Sequence, residues 1–154
     1  MEKKVIYLIG SLKNEKIPHI ANQLRELGFE VFDDWFSPGP EADDFWRNYE
    51  KVKGSTHQQA LNGYAGQHIY EFDKHHIDRA DIGVMCMPAG KSGHLELGYV
   101  IGRGKPGFIL FEEEPEKWDV MHIFSKENGG DICYSFEELR KGLLKLREQL
   151  LKLK

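Results

Sequence analysis

Along the chain, short apolar runs alternate with stretches whose apolar residues recur at helical spacing. Lys3 to Gly10 (KKVIYLIG) is β-rich, and Ile17, Ile20, Ala21, Leu24 and Leu27 then fall on one side of a helix. Gly28 ends that helix, and Phe29 to Phe32 reads as a second strand stopping at Asp33 and Asp34. Trp35 to Thr56 reads as an irregular, aromatic-rich insert or lid around Ser37-Pro38-Gly39-Pro40. His57 to Ala80 returns to helical spacing. Asp81 to Met87 (DIGVMCM) is almost wholly apolar, as a central parallel strand covered on both faces would be. A turn at Pro88 to Gly93, a helix over Leu95 to Gly102, a strand at Gly107 to Phe111, a short helix near Glu116 to Phe124 and a strand at Asp131 to Tyr134 follow. Ser135 and Glu138 have the spacing of a capping box opening a final amphipathic helix. Strands alternating with helices predict an α/β fold: a flavodoxin-like, doubly wound parallel sheet of about five strands.

The 154 residues suit one domain, so residues 1–154 are taken as a single unit. Apolar residues make up 40% and charged residues 30%, the balance of a globular protein. No apolar run reaches the roughly 20 residues that a membrane span needs, and MEKKVIYLIGSLKN passes from charge to strand without a cleavage site. A cytoplasmic protein without a membrane partner is expected. The net charge of −4 without a basic block argues against nucleic acid as a partner and for a small-molecule substrate. Cys86 and Cys133 sit in apolar strands and read as reduced core thiols.

In doubly wound sheets, ligands bind beyond the carboxyl ends of the strands. Pro88 to Glu96 (PAGKSGHLE) leaves such an end and enters a helix, which places Glu96 near the first helical turn, where free N–H groups and the helix dipole favour an ionised carboxylate. Asp73 lies on the preceding helix, about 10 Å back from Ala80, while the following strand travels the other way, so Asp73 and Glu96 approach one rim. Tyr7 on the first strand offers a phenol that can orient a carboxylate. Taken singly, each has a plain structural reading: a helix-start acid, a boundary acid, a core tyrosine.

YLIGS, FDKHHIDRADIGV and PAGKSGHLELGYVIGRGKP, in that order, resemble the nucleoside 2-deoxyribosyltransferase family and its nucleotide N-hydrolase relatives, over about Lys4 to Met121. The resemblance implies that Glu96 attacks the anomeric carbon, that Tyr7 positions it, and that Asp73 contacts the base and assists its protonation. Gly10, Ser11, Asp34 and Trp35 are expected substrate contacts. So are Gly90, Ser92 and Gly93 around the nucleophile. Asp119-Val120-Met121 resembles the segment that this family lends to a neighbouring subunit to hold the sugar's 5′ end, which implies a homo-oligomer with Asp119 and Met121 in the neighbour's site. An acid at Asp119 would repel a 5′-phosphate and accept a hydrogen bond from a 5′-hydroxyl, although Lys13, Lys91 and Ser92 offer a phosphate site instead. The chain departs from the family in having Gly90 where a further aspartate often stands, and in its insert around Trp35 to Tyr49, whose rings could stack on a base.

Other signals carry less. Gly102 to Gly107 (GRGKPG) precedes a strand and lacks Walker spacing, and Gly10-Ser11 lacks the later glycines of a dinucleotide fingerprint, so no NAD is expected. Seven histidines include no H-x-x-x-H pattern, and neither a metal nor a cofactor is expected; His94 reads equally as a pocket or a solvated residue. The leading expectation is a nucleoside 2′-deoxyribosyltransferase working through a glycosyl-Glu96 intermediate. An N-glycoside hydrolase acting on a nucleoside or its 5′-monophosphate is the enzymatic alternative. A non-catalytic nucleotide-binding module is the alternative of another class.

Overall fold

The computed structural model describes residues 2–153. Five strands, β1 (Val5–Ile9), β2 (Glu30–Phe32), β3 (Ile82–Cys86), β4 (Gly107–Leu110) and β5 (Ile132–Cys133), form one all-parallel sheet in the order β2-β1-β3-β4-β5. This is the flavodoxin-like order.

Alternate side chains of each strand point to opposite faces, and each face is covered by helices. On one face Ile6 and Leu8 meet α1 (Ile17–Glu26) through Ile17, Ile20 and Leu24, and α6 (Phe136–Lys152) through Leu139, Leu143 and Leu146. On the other, Tyr7 and Ile9 meet Ile77 of α4 (Tyr64–Arg79) and Leu97, Val100 and Ile101 of α5 (Lys91–Gly102). Strand β3 is buried at all five residues, which explains its continuous apolar run. Both cysteines are free and buried.

Local signals set the helix ends. Gly28 takes φ +100° after α1, a conformation that β-carbons disfavour. Ser135 Oγ accepts from the Glu138 N–H at 3.1 Å, while Glu138 returns a bond to the N–H of Tyr134 at 2.7 Å, one residue earlier than a standard capping box.

Three expectations are corrected. The segment 35–56 is not irregular: a 3-10 turn at Asp34–Phe36 leads to helix α2 (Ala42–Val52). Asp43 and Asp44 in its first turn and Lys51 in its last complement the helix dipole, but Phe45, Tyr49 and Val52 stay exposed, so its apolar residues did not read as a core-facing stripe. The helical stretch 57–80 is broken by Asn62-Gly63 into α3 (His57–Leu61), with a full capping box between Thr56 and Gln59, and α4. Near the carboxyl end, the short helix expected around 116–124 lies later, as a kinked 3-10 segment at Val120–Gly129.

Among the described residues, no helix is long and apolar enough to cross a membrane. Leu143 lies fully buried between α6 and the sheet. Leu143→Ala is expected to lower unfolding free energy by about 2–5 kcal/mol, measured by urea denaturation. A change under about 0.5 kcal/mol, as at a surface site, would contradict this packing.

Candidate active site

The site is built from three elements on one face of the sheet. Tyr7, 1% exposed, rises from the middle of β1, where it pairs with Phe32 of β2 and Gly83 of β3. Helix α5 follows directly on the carboxyl end of β3, and Gly93 in its first turn permits close contact with the sheet. A β-carbon there would stand 3.0 Å from Ile9 Cγ2 and 3.2 Å from Ala89 Cβ. That approach brings Glu96 within reach of the strand, and the Tyr7 hydroxyl donates to Glu96 Oε2 at 2.6 Å.

Asp73 comes from α4, in a wall of rings. Tyr7 stacks on Phe32 with centroids 5.3 Å apart, His76 stacks on Phe32 at 4.0 Å, and Phe72 meets Phe32 edge-on at 5.6 Å. A polar network locks α4 to α5: Lys74 bonds Asp78 at 2.7 Å, Tyr99 donates to Asp78, Arg103 donates to the Tyr99 hydroxyl at 2.8 Å, and Lys105 reaches the Asp78 carbonyl at 2.8 Å. Tyr99 and Asp81 are thus structural; Asp81 bonds the Val5 N–H at 2.8 Å and squares off the start of β1.

Burial governs the charges. The carboxyl of Glu96 is pushed up to about 7, chiefly by burial and further by the charge of Asp73, against the hydrogen bond from Tyr7, which favours the ionised form. Asp73 is raised to about 6 by burial. The Tyr7 phenol is pushed far above its ordinary value by burial, by Glu96 and by Asp73, so it stays a donor. These couplings place Asp73 and Glu96 in one electrostatic environment. The expectation of a helix-entrance carboxylate is corrected: α5 begins at Lys91, not Leu95, so Glu96 lies in the second turn, where backbone N–H groups are engaged within the helix.

The other expected contacts divide. Gly10 closes β1, where a β-carbon would stand 2.6 Å from Ile17 Cδ1, a packing demand. Ser11 Oγ accepts from the Lys13 N–H at 3.1 Å. Asp34 is exposed in the 3-10 turn, and Trp35 Nε1 donates to the Leu8 carbonyl at 2.7 Å, pinning that turn to β1. Gly90 caps α5 with open space where a β-carbon would be, beside exposed Ser92.

Asp119 and Met121 lie on another flank of α5. They line a cleft of about 630 Å³ with His94, Leu97, Gly98 and Ile101, while Glu96 faces Tyr7. Residues 94 and 96 stand roughly 200° apart around a helix. Sequence reasoning missed what meets there: His94 Nε2 lies 3.0 Å from His122 Nε2, with Asp119 Oδ2 3.9 Å from the latter. Only the D-x-x-H spacing of Asp119 and His122 hinted at it, because His94 comes from a distant element.

The parallel sheet of order 2-1-3-4-5 defines a flavodoxin-like α/β domain, and on one face of it a buried tyrosine donates to the half-buried Glu96, with the charge of half-buried Asp73 acting on both. No protein-family model matches the chain, and no curated protein matches it. Among solved structures, it is similar to a conserved protein from Enterococcus faecalis V583 (TM-score 0.60, 13% identity, 94% of this chain and 99% of that one). It is also similar to a CMP N-glycosidase from Clostridium botulinum (0.52, 18%, 91% and 98%). A third is a 2-deoxyribosyltransferase from Bacillus psychrosaccharolyticus (0.50, 22%, 79% and 81%). At these identities the likeness establishes the shared fold.

The raised Glu96 carboxyl has a consequence for stability. The folded chain binds this proton more tightly than the unfolded one, so the contribution is full below the ordinary carboxylate value and is lost as pH rises through about 7. Glu96→Gln removes the titration. Its stability relative to the parent is therefore expected to improve from about pH 4 to about pH 8, followed by thermal unfolding; a pH-independent difference would contradict the buried acid.

Proposed function

We propose that the protein cleaves and re-forms the N-glycosidic bond of a deoxynucleoside as a 2′-deoxyribosyltransferase. The observation that carries this reading is the Tyr7–Glu96 hydrogen bond of 2.6 Å, in a buried setting electrostatically coupled to Asp73. Similarity in fold to a 2-deoxyribosyltransferase and to a CMP N-glycosidase supports it. The acids are the reagents. The reacting form has the single proton of the pair on Asp73, the less populated arrangement because Glu96 is raised to about 7 and Asp73 to about 6; in it ionised Glu96 attacks C1′ of the sugar while protonated Asp73 delivers its proton to the departing base. The C1′–N bond breaks, an ester forms on Glu96, and the base leaves neutral. A second base then displaces Glu96 at C1′, its proton returning to Asp73. Two displacements retain configuration. Water in place of the second base gives hydrolysis, the alternative outcome that the CMP N-glycosidase likeness favours.

The site is completed in a homo-oligomer, on this reading, by Asp119 and Met121 of a neighbouring copy. Supporting this are the exposed apolar residues around that segment, with Trp118 83%, Val120 66% and Met121 60% exposed, and Leu95 on α5 at 77%. Asp119 then accepts from a 5′-hydroxyl, which favours nucleosides over monophosphates.

Incubation with a deoxynucleoside and a second free base is expected to yield the exchanged nucleoside, read by liquid chromatography; release of free sugar alone would establish hydrolysis and sink transfer. Glu96→Ala is expected to lose at least about 100-fold in kcat, with the parent showing a deoxyribosyl adduct on the Glu96 peptide by mass spectrometry. Undiminished turnover would remove Glu96 as the nucleophile, and ligand binding without turnover by the parent would return the protein to a binding role. Because the productive state holds one proton on the pair, kcat/KM is expected to be bell-shaped, with its maximum in the window between about 6 and about 7. Mixing inactive Glu96→Ala and Met121→Glu proteins should restore part of the activity when sites are shared between copies, and none when each copy is self-sufficient.

A further inference from the structure

The flank of α5 facing away from Glu96 carries two histidines that the glycosyl chemistry does not use, beside Asp119, which that reading assigns to a neighbouring copy's site. His94 projects from α5 and His122 from the 3-10 segment Val120–Gly129, with Asp119 just before it. One ligand atom from each lies within 4.8 Å of the others. We propose that His94, His122 and Asp119 bind a divalent transition-metal ion of the zinc class at the edge of the cleft between α5 and this segment.

The geometry is close to what such an ion requires. Two Zn–N bonds of about 2.0–2.1 Å at a tetrahedral angle hold their nitrogens about 3.3–3.4 Å apart. The two Nε2 atoms stand 3.0 Å apart, so binding one ion requires them to separate by a few tenths of an ångström and the rings to tilt until both nitrogens face it. The His122 Nε2 to Asp119 Oδ2 distance of 3.9 Å closes by about half an ångström, and all three ligand atoms already lie within 4.8 Å of one another.

The surroundings orient the ligands. His94 Nδ1 lies 2.8 Å from the Gly90 carbonyl. A carbonyl only accepts, so Nδ1 carries the hydrogen and Nε2 presents a lone pair to the cluster, the backing that metal-bound imidazoles commonly have. Asp119 Oδ1 accepts from the Met121 N–H at 2.9 Å, which turns Oδ2 toward His122. Without an ion, His122 Nε2–H donates to His94 Nε2, the rings nearly end to end with centroids 5.2 Å apart and planes 18° apart. On metal binding, His122 carries its hydrogen on Nδ1 instead and its ring tilts, so no proton is gained or lost.

Two imidazoles and one carboxylate suit zinc better than calcium or magnesium, which prefer all-oxygen shells. Three protein ligands leave a position open toward solvent or a small molecule. The ion and a substrate 5′-hydroxyl would compete for Asp119, so metal loading should weaken the nucleoside binding proposed above.

The probe is cobalt(II) alone, added to the full chain after chelator treatment and removal of any histidine tag. The expected result is a visible absorption band of a four- or five-coordinate site that saturates at one ion per chain and is bleached by zinc. His94→Ala and His122→Ala should each weaken cobalt binding at least about 100-fold, and His19→Ala, on exposed α1 surface, should leave it unchanged. A spectrum of hydrated cobalt only, or binding by both variants as tight as the parent's, overturns the proposal. Nitrogen NMR of the unaltered protein guards against misfolding of the variants: zinc should shift the Nε2 resonances of His94 and His122, and shifts confined to other histidines overturn it. The band should persist in Glu96→Ala protein, so loss of the glycosyl reading and loss of this one are separate results.

Discussion

The hydrogen bond from a buried phenol to a buried carboxyl, Tyr7 to Glu96, is the constraint around which this face of the molecule is arranged. It joins the middle of a central strand to the second turn of a helix. Gly93, where a β-carbon would stand 3.0 Å from Ile9 Cγ2, lets the helix pack against the sheet at this point. A side chain at residue 93 would lift α5 and lengthen the bond. Strand β1 sits between β2 and β3, so Tyr7 is held from both sides and does not follow the helix.

Burial makes these acids chemically useful. In water both would be ionised at neutral pH, and neither would offer a proton to a leaving group. Desolvation raises Glu96 to about 7 and Asp73 to about 6, so both carboxyls titrate close to neutrality. Tyr7 opposes the rise at Glu96 and keeps its ionised form accessible. The Lys74–Asp78–Tyr99–Arg103 network holds α4 against α5 and with it the spacing between the two acids.

Helix α5 therefore presents two chemistries. Residues two apart point to nearly opposite sides, so Glu96 faces Tyr7 above β1 while His94 faces His122 in the cleft beside the 3-10 segment. A single rigid helix links the two.

Much of this architecture was legible in the chain. The apolar run 82–86, the stripe Ile17, Ile20, Leu24 and the cap at Ser135 record local rules of burial and backbone geometry, which act within a few residues. The juxtaposition of Asp73 with Glu96 could be argued from helix rise and strand length, because a parallel sheet makes such travel predictable. The helix within 35–56 was hidden because its aromatic residues face outward as well as inward, so no clean stripe appeared. Tertiary structure alone decided that Glu96 sits a turn deep and that its carboxyl is raised to about 7, since desolvation depends on which distant side chains exclude water. It also decided that His94 meets His122 across 28 residues, because no local rule relates one helix face to a loop that folds onto it later in the chain.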